Sequence, residues 1–246
     1  MMSPRTHQTA ALLIIGNEIL SGRTRDANGW RAATRLFERG CRLGEIAVVP
    51  DEAERIVVAL ERLRTDFDAV ITSGGIGPTH DDITMECVAR AFGVPLLEHA
   101  ETLAVMREHY GEEGLNPGRR RMARLPRGAR PIICERSIAP GAHIGNVYVL
   151  AGVPEIFASQ LEAILPEFGG EGFLRREIEV SLPESAFARP LGRLQSRFPD
   201  VEIGSYPSRC GDRPCGKICL SSRDAARLDA AEAEVRAMLS GLPDAG

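Results

Sequence analysis

At 246 residues and 26.7 kDa, with 43% hydrophobic and 26% charged residues, 25 Gly and 16 Pro, the chain has the composition of a compact folded protein. Disorder, collagen and fibrous rods are excluded; a chain this long buries about 70–75% of its unfolded surface, enough for one large domain with a smaller one. Thirty basic against 34 acidic side chains leave a net charge of −4, which gives no general attraction to nucleic acid or to an anionic membrane. The first apolar run, residues 10–15, is too short for a signal peptide, and no stretch approaches the roughly 20 apolar residues of a membrane-spanning helix. The expectation is a cytoplasmic protein.

Residues 1–168 alternate short apolar runs with helical periodicity, the pattern of βα units around a mostly parallel sheet. A buried strand is predicted at 10–15. Asp26 then caps a helix whose Trp30, Ala33, Leu36 and Phe37 share one face, and Gly40 ends it. Residues 42–49 read as a strand, Pro50-Asp51 as the start of a helix carrying Ile56, Val57, Leu60 and Leu63, and 68–73 as a third strand. A glycine-rich turn, 74–82, leads into a helix that turns Ile83, Val88, Ala91 and Phe92 to the sheet. Helices near 99–110 and 117–124, strands near 130–134 and 145–151, and a helix ending about Leu165 complete the domain. After the linker at 169–172, residues 173–246 read as a small β-α-β-β-α domain, its last helix apolar along Leu228, Ala231, Val235, Met238 and Leu239.

The cysteines at 41, 87, 134, 210, 215 and 219 contain no Cys-x-x-Cys pair. Cys210, Cys215 and Cys219 read either as a partial metal or redox cluster or, preferably, as reduced thiols beside a turn, with a cytosolic setting arguing against a Cys210–Cys215 bridge.

The turn Gly74-Gly75-Ile76-Gly77-Pro78-Thr79-His80-Asp81-Asp82 follows a strand and opens a helix, a geometry that aims backbone N–H groups and a helix dipole at one point. It reads as a phosphate site in which Gly74, Gly75 and Gly77 let the backbone approach a ligand, Pro78 fixes φ and Thr79 supplies a hydroxyl. A plain chain reversal is the competing reading. Asp81 and Asp82 beside a phosphate repel it unless a divalent cation intervenes, although either also serves as a helix cap. In a parallel sheet Glu18 and Asp51, at two other strand ends, converge on the same place and make a candidate acid cluster. The run Arg119, Arg120, Arg121, Arg124, Arg127 and Arg130 is either a diphosphate clamp or a solvated helix face. It lacks the interleaved aromatics of a nucleic-acid site.

The segments GNEILSG (16–22), DAN (26–28), VVPDE (48–52), SGGIGPTHDDIT (73–84), LPRGA (125–129), APG (139–141) and AGVP (151–154) resemble the molybdopterin-binding-domain superfamily, and within it the amino-terminal domain of the competence/damage-inducible CinA family. The resemblance covers about 9–168, and GSYP at 204–207 is similar to the small second domain of these proteins. It implies a three-layer α/β fold and a pocket for a phosphorylated pterin or nucleotide diphosphate. That pocket takes in Ser21, Asp26, Asn28, Gly141, Gly152 and Pro154 besides the turn. The family's catalytic aspartates match Asp51 and Asp82, and Asp81 is matched chiefly in the CinA branch. Asn17 replaces a usual Asp, and Ala151 the Pro of a usual PGVP. The resemblance does not extend to the family's carboxy-terminal deamidase domain, so that activity is not carried over.

Three functions fit these residues. The first is a metal-dependent hydrolase of ADP-ribose or a similar dinucleotide, with Asp82 and Asp81 or Glu18 on Mg²⁺, Mn²⁺ or Co²⁺ and Asp51 on the attacking water. The second is a molybdopterin-binding protein or adenylyltransferase; the third is a non-catalytic nucleotide or pterin sensor. The resemblance also implies a homo-oligomer, dimer or trimer, with small-molecule rather than nucleic-acid or membrane partners.

Overall fold

The computed structural model describes residues 6–170, 172–210 and 213–242, without the side chains of 209–210 and 213–214. The chain divides into two units, Met1–Gly170 and Glu171–Gly246.

The first unit begins with β1 (Thr9–Ile15), whose side chains after Thr9 are all buried because both faces of the strand are covered. Then come α1 (Asn17–Leu20), α2 (Asn28–Glu38), β2 (Arg42–Val49), α3 (Ala53–Asp66), β3 (Ala69–Ser73), α4 (Thr84–Ala91) and β4 (Leu96–Glu98). They are followed by α5 (Ala100–Gly114), α6 (Pro117–Arg121), β5 (Arg124–Pro126), β6 (Arg130–Cys134), β7 (Ser137–Ile144), β8 (Val147–Leu150) and α7 (Pro154–Ile164). The main sheet has the order β2-β1-β3-β8-β7-β6, parallel from β2 to β8 and antiparallel through β7 and β6. α2 and α7 pack on one face through Leu36, Phe157, Leu161 and Ile164; α3 and α4 pack on the other through Ile56, Leu60, Leu63 and Val88. This is the expected three-layer α/β architecture. Each fully buried side chain, Phe157 for example, contributes about 1.5–3 kcal/mol relative to exposure.

Two readings need correction. Trp30 is 73% exposed, and the buried stripe of α2 is Asn28, Gly29, Ala32 and Leu36. The polar Asn28 is drawn inward by hydrogen bonds, so position 30, about 200° further round the helix, turns outward. The hairpin strand β7 and the short pair β4–β5 were not foreseen, since Pro140 and Gly141 interrupt the apolar pattern of β7.

The second unit is β9 (Leu174–Val180), α8 (Glu184–Arg197), β10 (Glu202–Cys210), β11 (Arg213–Ser222) and α9 (Ala225–Ser240). Its antiparallel sheet, ordered β10-β11-β9, packs on both helices through Ile178, Phe187, Leu194, Ile218, Leu228 and Val235. Cys215 is disulfide-bonded, contrary to the reading as a reduced thiol, whereas Cys219 is free. The side chain of Cys210 lies outside the described residues. Among the described residues no helix is long and apolar enough to cross a membrane.

Candidate functional site

The carboxyl ends of the parallel strands β2, β1, β3 and β8 lie side by side, and each opens into a loop named in the sequence analysis. After β3, Gly74 and Gly75 adopt φ of +107° and +68°, a left-handed path that side chains oppose. A Cβ on Gly74 meets the carbonyl of Ile15, one on Gly75 meets the Thr84 hydroxyl, and one on Gly77 meets the Asp82 carboxylate. The glycines are required by the protein's own packing before any ligand enters. Thr84 locks the turn by donating its hydroxyl to Gly74 O at 2.9 Å and its amide to Gly75 O at 2.9 Å. The amides of Gly75, Ile76 and Gly77 have no hydrogen-bond partner among the described residues, leaving three successive donors on a glycine-bent path.

Asp82 neither caps α4, whose N-cap is Ile83, nor joins an acid cluster. Its Oδ2 accepts from Thr79 N at 2.9 Å and from the Thr79 hydroxyl, closing the turn. Asp81 is exposed, and the nearby Thr79 hydroxyl, followed by its own backbone amide, holds its carboxyl below the usual aspartate range. Pro78 and His80 are exposed at the tip. Arg121 grips the turn from outside, donating to Thr79 O and Asp82 O at 2.6 Å each and pairing with Glu86 at 3.1 Å.

The other loops build the opposite wall. Asp51 Oδ2 accepts from Asn17 N at 2.8 Å, fixing the chain after β1. Glu18 curls back beside Gly16, and Ser21 is exposed next to it. Asp26 accepts from the amides of Asn28 and Gly29, so it satisfies the first donors of α2 as expected. The Asn28 amide donates to Ser73 Oγ at 2.9 Å and Gly152 O at 2.8 Å, tying the ends of β3 and β8 together. Gln160, which the sequence did not single out, accepts from Ala151 N at 2.8 Å. Asn28 Oδ1 and Gln160 Nε2 are buried without a partner among the described residues. Gly152 lies against Gly74 and is exposed; Pro154 is the first residue of α7; Gly141 is buried within β7 against Val149 and Gln160, a packing position.

Two expectations are therefore revised. Among the described residues no group of three or more His, Cys, Asp or Glu lies close enough to hold a metal ion, so Glu18, Asp51, Asp81 and Asp82 do not form one cage. The arginine run disperses: Arg119 donates to Gly114 O and covers Tyr110, Arg120 pairs with Glu98, and Arg130 pairs with Glu167. Only Arg121 reaches the turn, and it holds carbonyls.

A family model described as "Probable molybdopterin binding domain" matches residues 11–169. The chain belongs to the molybdopterin-binding-domain family. Residues 172–242 match a second model, "FAD synthase, middle domain". A protein of Pyrococcus furiosus is 35% identical over 217 residues, 82% of this chain and 86% of its own length. A CinA-like protein of Myxococcus xanthus is 32% identical across 93% of this chain, and a "Probable FAD synthase" of Caenorhabditis briggsae 30% across 98%. The chain spans only 58% and 51% of those two proteins. The solved CinA protein of Thermoplasma acidophilum, 34% identical with a TM-score of 0.62, covers 65% of this chain and 97% of its own. The CinA-like character of the molybdopterin-binding unit stands on these matches.

Proposed function

We propose that the first unit binds the diphosphate of a nucleotide such as ADP-ribose and hydrolyses it with the help of a divalent cation. The observation that carries this reading is the row of three free amides at Gly75–Gly77, beside Asp81 and Asp82 and across the strand ends from Asp51. The row supplies an anion seat and the carboxylates flank it. The donor set fits Mg²⁺, Mn²⁺ or Co²⁺: such an ion takes one or two protein carboxylates and completes its shell with water and phosphate oxygens, so no all-protein cage is needed. Asp82, with Asp81 or Glu18, would hold it, and bound there it neutralises charge developing on the phosphates. Asp51, fixed by Asn17 N, orients and deprotonates the attacking water through its remaining oxygen. Ser21, Asp26, Asn28, Gly152 and Pro154 shape the wall that receives the rest of the ligand. The name of the Caenorhabditis relative adds nucleotide chemistry as a setting and makes FAD a second substrate to try.

The test is turnover of ADP-ribose and FAD with each cation, with and without chelator, in the wild type and Asp82→Asn. Loss of at least about 100-fold in kcat with the fold intact is the expected result. A rate undiminished in excess chelator removes the cation. A pterin ligand with adenylyl transfer is the second reading, favoured by the family description. It predicts thermal stabilisation by molybdopterin and by ATP with Mg²⁺ but not by ADP-ribose.

A further inference from the structure

Gln160 is wholly buried in α7, beside Phe157, Leu161 and Ile164, where the helix otherwise presents apolar side chains to the core. Its Oε1 accepts from Ala151 N at 2.8 Å, which fixes the orientation of the side-chain amide and leaves Nε2 without an acceptor among the described residues. Three buried side-chain atoms among the described residues lack a hydrogen-bond partner. Two of them, Gln160 Nε2 and Asn28 Oδ1, belong to the side chains that grip residues 151 and 152. A buried polar atom without a partner lowers stability and calls for an explanation. Stability gains little here, because Gln160 satisfies Ala151 N and orphans its own Nε2. What the exchange does secure is the position of Ala151.

Ala151 stands between the two residues that touch Gly74. On one side Leu150 O accepts from Gly74 N at 3.2 Å; on the other, a Cβ on Gly152 would come within 3.1 Å of Gly74 Cα. Asn28 adds a second hold, from Nδ2 to Gly152 O at 2.8 Å and to Ser73 Oγ at 2.9 Å. From this linkage we infer that Gln160 is a positioning residue for the anion seat: by fixing Ala151 it sets where Gly74 lies, and so where the amides of Gly75, Ile76 and Gly77 point. The inference rests on the reading of those amides as a phosphate seat and names the side chain that holds them in place. Being wholly buried, Gln160 touches no ligand and acts through the backbone alone. Hydrogen bonds weaken steeply with misalignment, and a binding constellation works only within about 0.5 Å of its productive geometry. A displacement of Gly74, one residue ahead of the row, is therefore felt at all three donors.

The experiment compares the wild type with Gln160→Met, whose side chain has a similar length and fills the core but offers Ala151 N only a weak acceptor. Ile164→Val, at the far end of the same helix, loosens the core without touching Ala151 and serves as the control. Two quantities are read on the full chain: the amide NMR resonances of Gly75, Ile76 and Gly77, which need no ligand, and the affinity for inorganic pyrophosphate with Mg²⁺. In Gln160→Met the three resonances should shift and the affinity should fall by about tenfold. Ile164→Val should leave both as in the wild type. Circular dichroism checks folding; if Gln160→Met unfolds, Gln160→Leu takes its place. Unmoved resonances or unchanged affinity in the Gln160 variant, or equal changes in Ile164→Val, overturn the proposal and leave the anion seat standing. A wild type that binds no pyrophosphate overturns the seat and the proposal together.

Discussion

The glycines and Arg121 show how little of the glycine turn at 74–82 is ornamental. Gly75 sits at φ +68° with Thr84 in the space a Cβ needs, so Gly75→Val strains the backbone and expels the hydroxyl that locks Gly74. The expected outcome is a loss of about 1–3 kcal/mol in denaturant unfolding together with loss of ligand binding; binding loss alone therefore does not identify the anion seat. Arg121→Ala separates the two effects. It removes two donors to turn carbonyls and an ion pair with Glu86 while leaving the amides of Gly75–Gly77 in place. We expect a fall of about 1–2 kcal/mol in stability and a rise in KM larger than the fall in kcat, measured by steady-state kinetics. An unchanged KM would show that the turn holds its shape without the arginine.

At the scale of elements, the opposite end of the sheet carries a polar network joining β6, β7, β8 and the turn Leu165–Glu167 that follows α7. Arg130 Nε donates to His143 Nδ1 at 2.9 Å, so the imidazole is neutral with its proton on Nε2, which donates to Gly145 O at 2.9 Å. His143 stacks on Tyr148, whose hydroxyl donates to Glu167 at 2.8 Å and accepts from His7 Nε2 at 2.9 Å. Burial, then Arg130, lowers the His143 pKa; burial also lowers His7, against the pull of Asp68 and Glu167. A lowered histidine means that the unfolded chain binds more protons, so this stability is complete above about pH 6.5 and is lost as pH falls from there through the folded value. Glu167, held below the carboxylate range by Tyr148 and Arg130 against the cost of burial, adds its own loss only below about pH 4.5. The melting temperature should therefore drop as pH falls below about 6.5, and His143→Gln should flatten that slope; an equally steep slope in the variant would rule His143 out. None of this network was legible in the sequence, because its members lie as far apart as His7 and Glu167 and meet only through the fold. β1 and β3, with their apolar runs, and β2, whose apolar half is Ile46 to Val49, were legible to within about a residue. β7, broken by Pro140 and Gly141, was not. The site followed the same rule: the turn and its acids announced themselves by composition, whereas Gln160 and the grip of Arg121 depend on distant backbone groups.

For the whole molecule, each unit has its own hydrophobic core, and every residue proposed to touch ligand lies in the first. The first unit does not end where helical periodicity stops. Past Phe168, Gly169 donates to His7 O at 2.9 Å and Gly170 to Arg39 O at 3.2 Å, with Gly169 at φ +127° against Arg39 where a Cβ has no room. A fragment of residues 1–170 keeps both bonds; one ending at Phe168 loses them and holds the segment before β1 by the bond from His7 N to Glu167 O. We expect the 1–170 fragment to fold cooperatively and to keep the thermal stabilisation by ADP-ribose with Mg²⁺ that the proposed function requires of the full chain. The shorter fragment should be less stable by about 1–2 kcal/mol. The decisive measurement is ligand-dependent thermal unfolding of both fragments beside the full chain. A folded 1–170 fragment with no response, where the full chain responds, would mean that the second unit contributes directly to ligand binding.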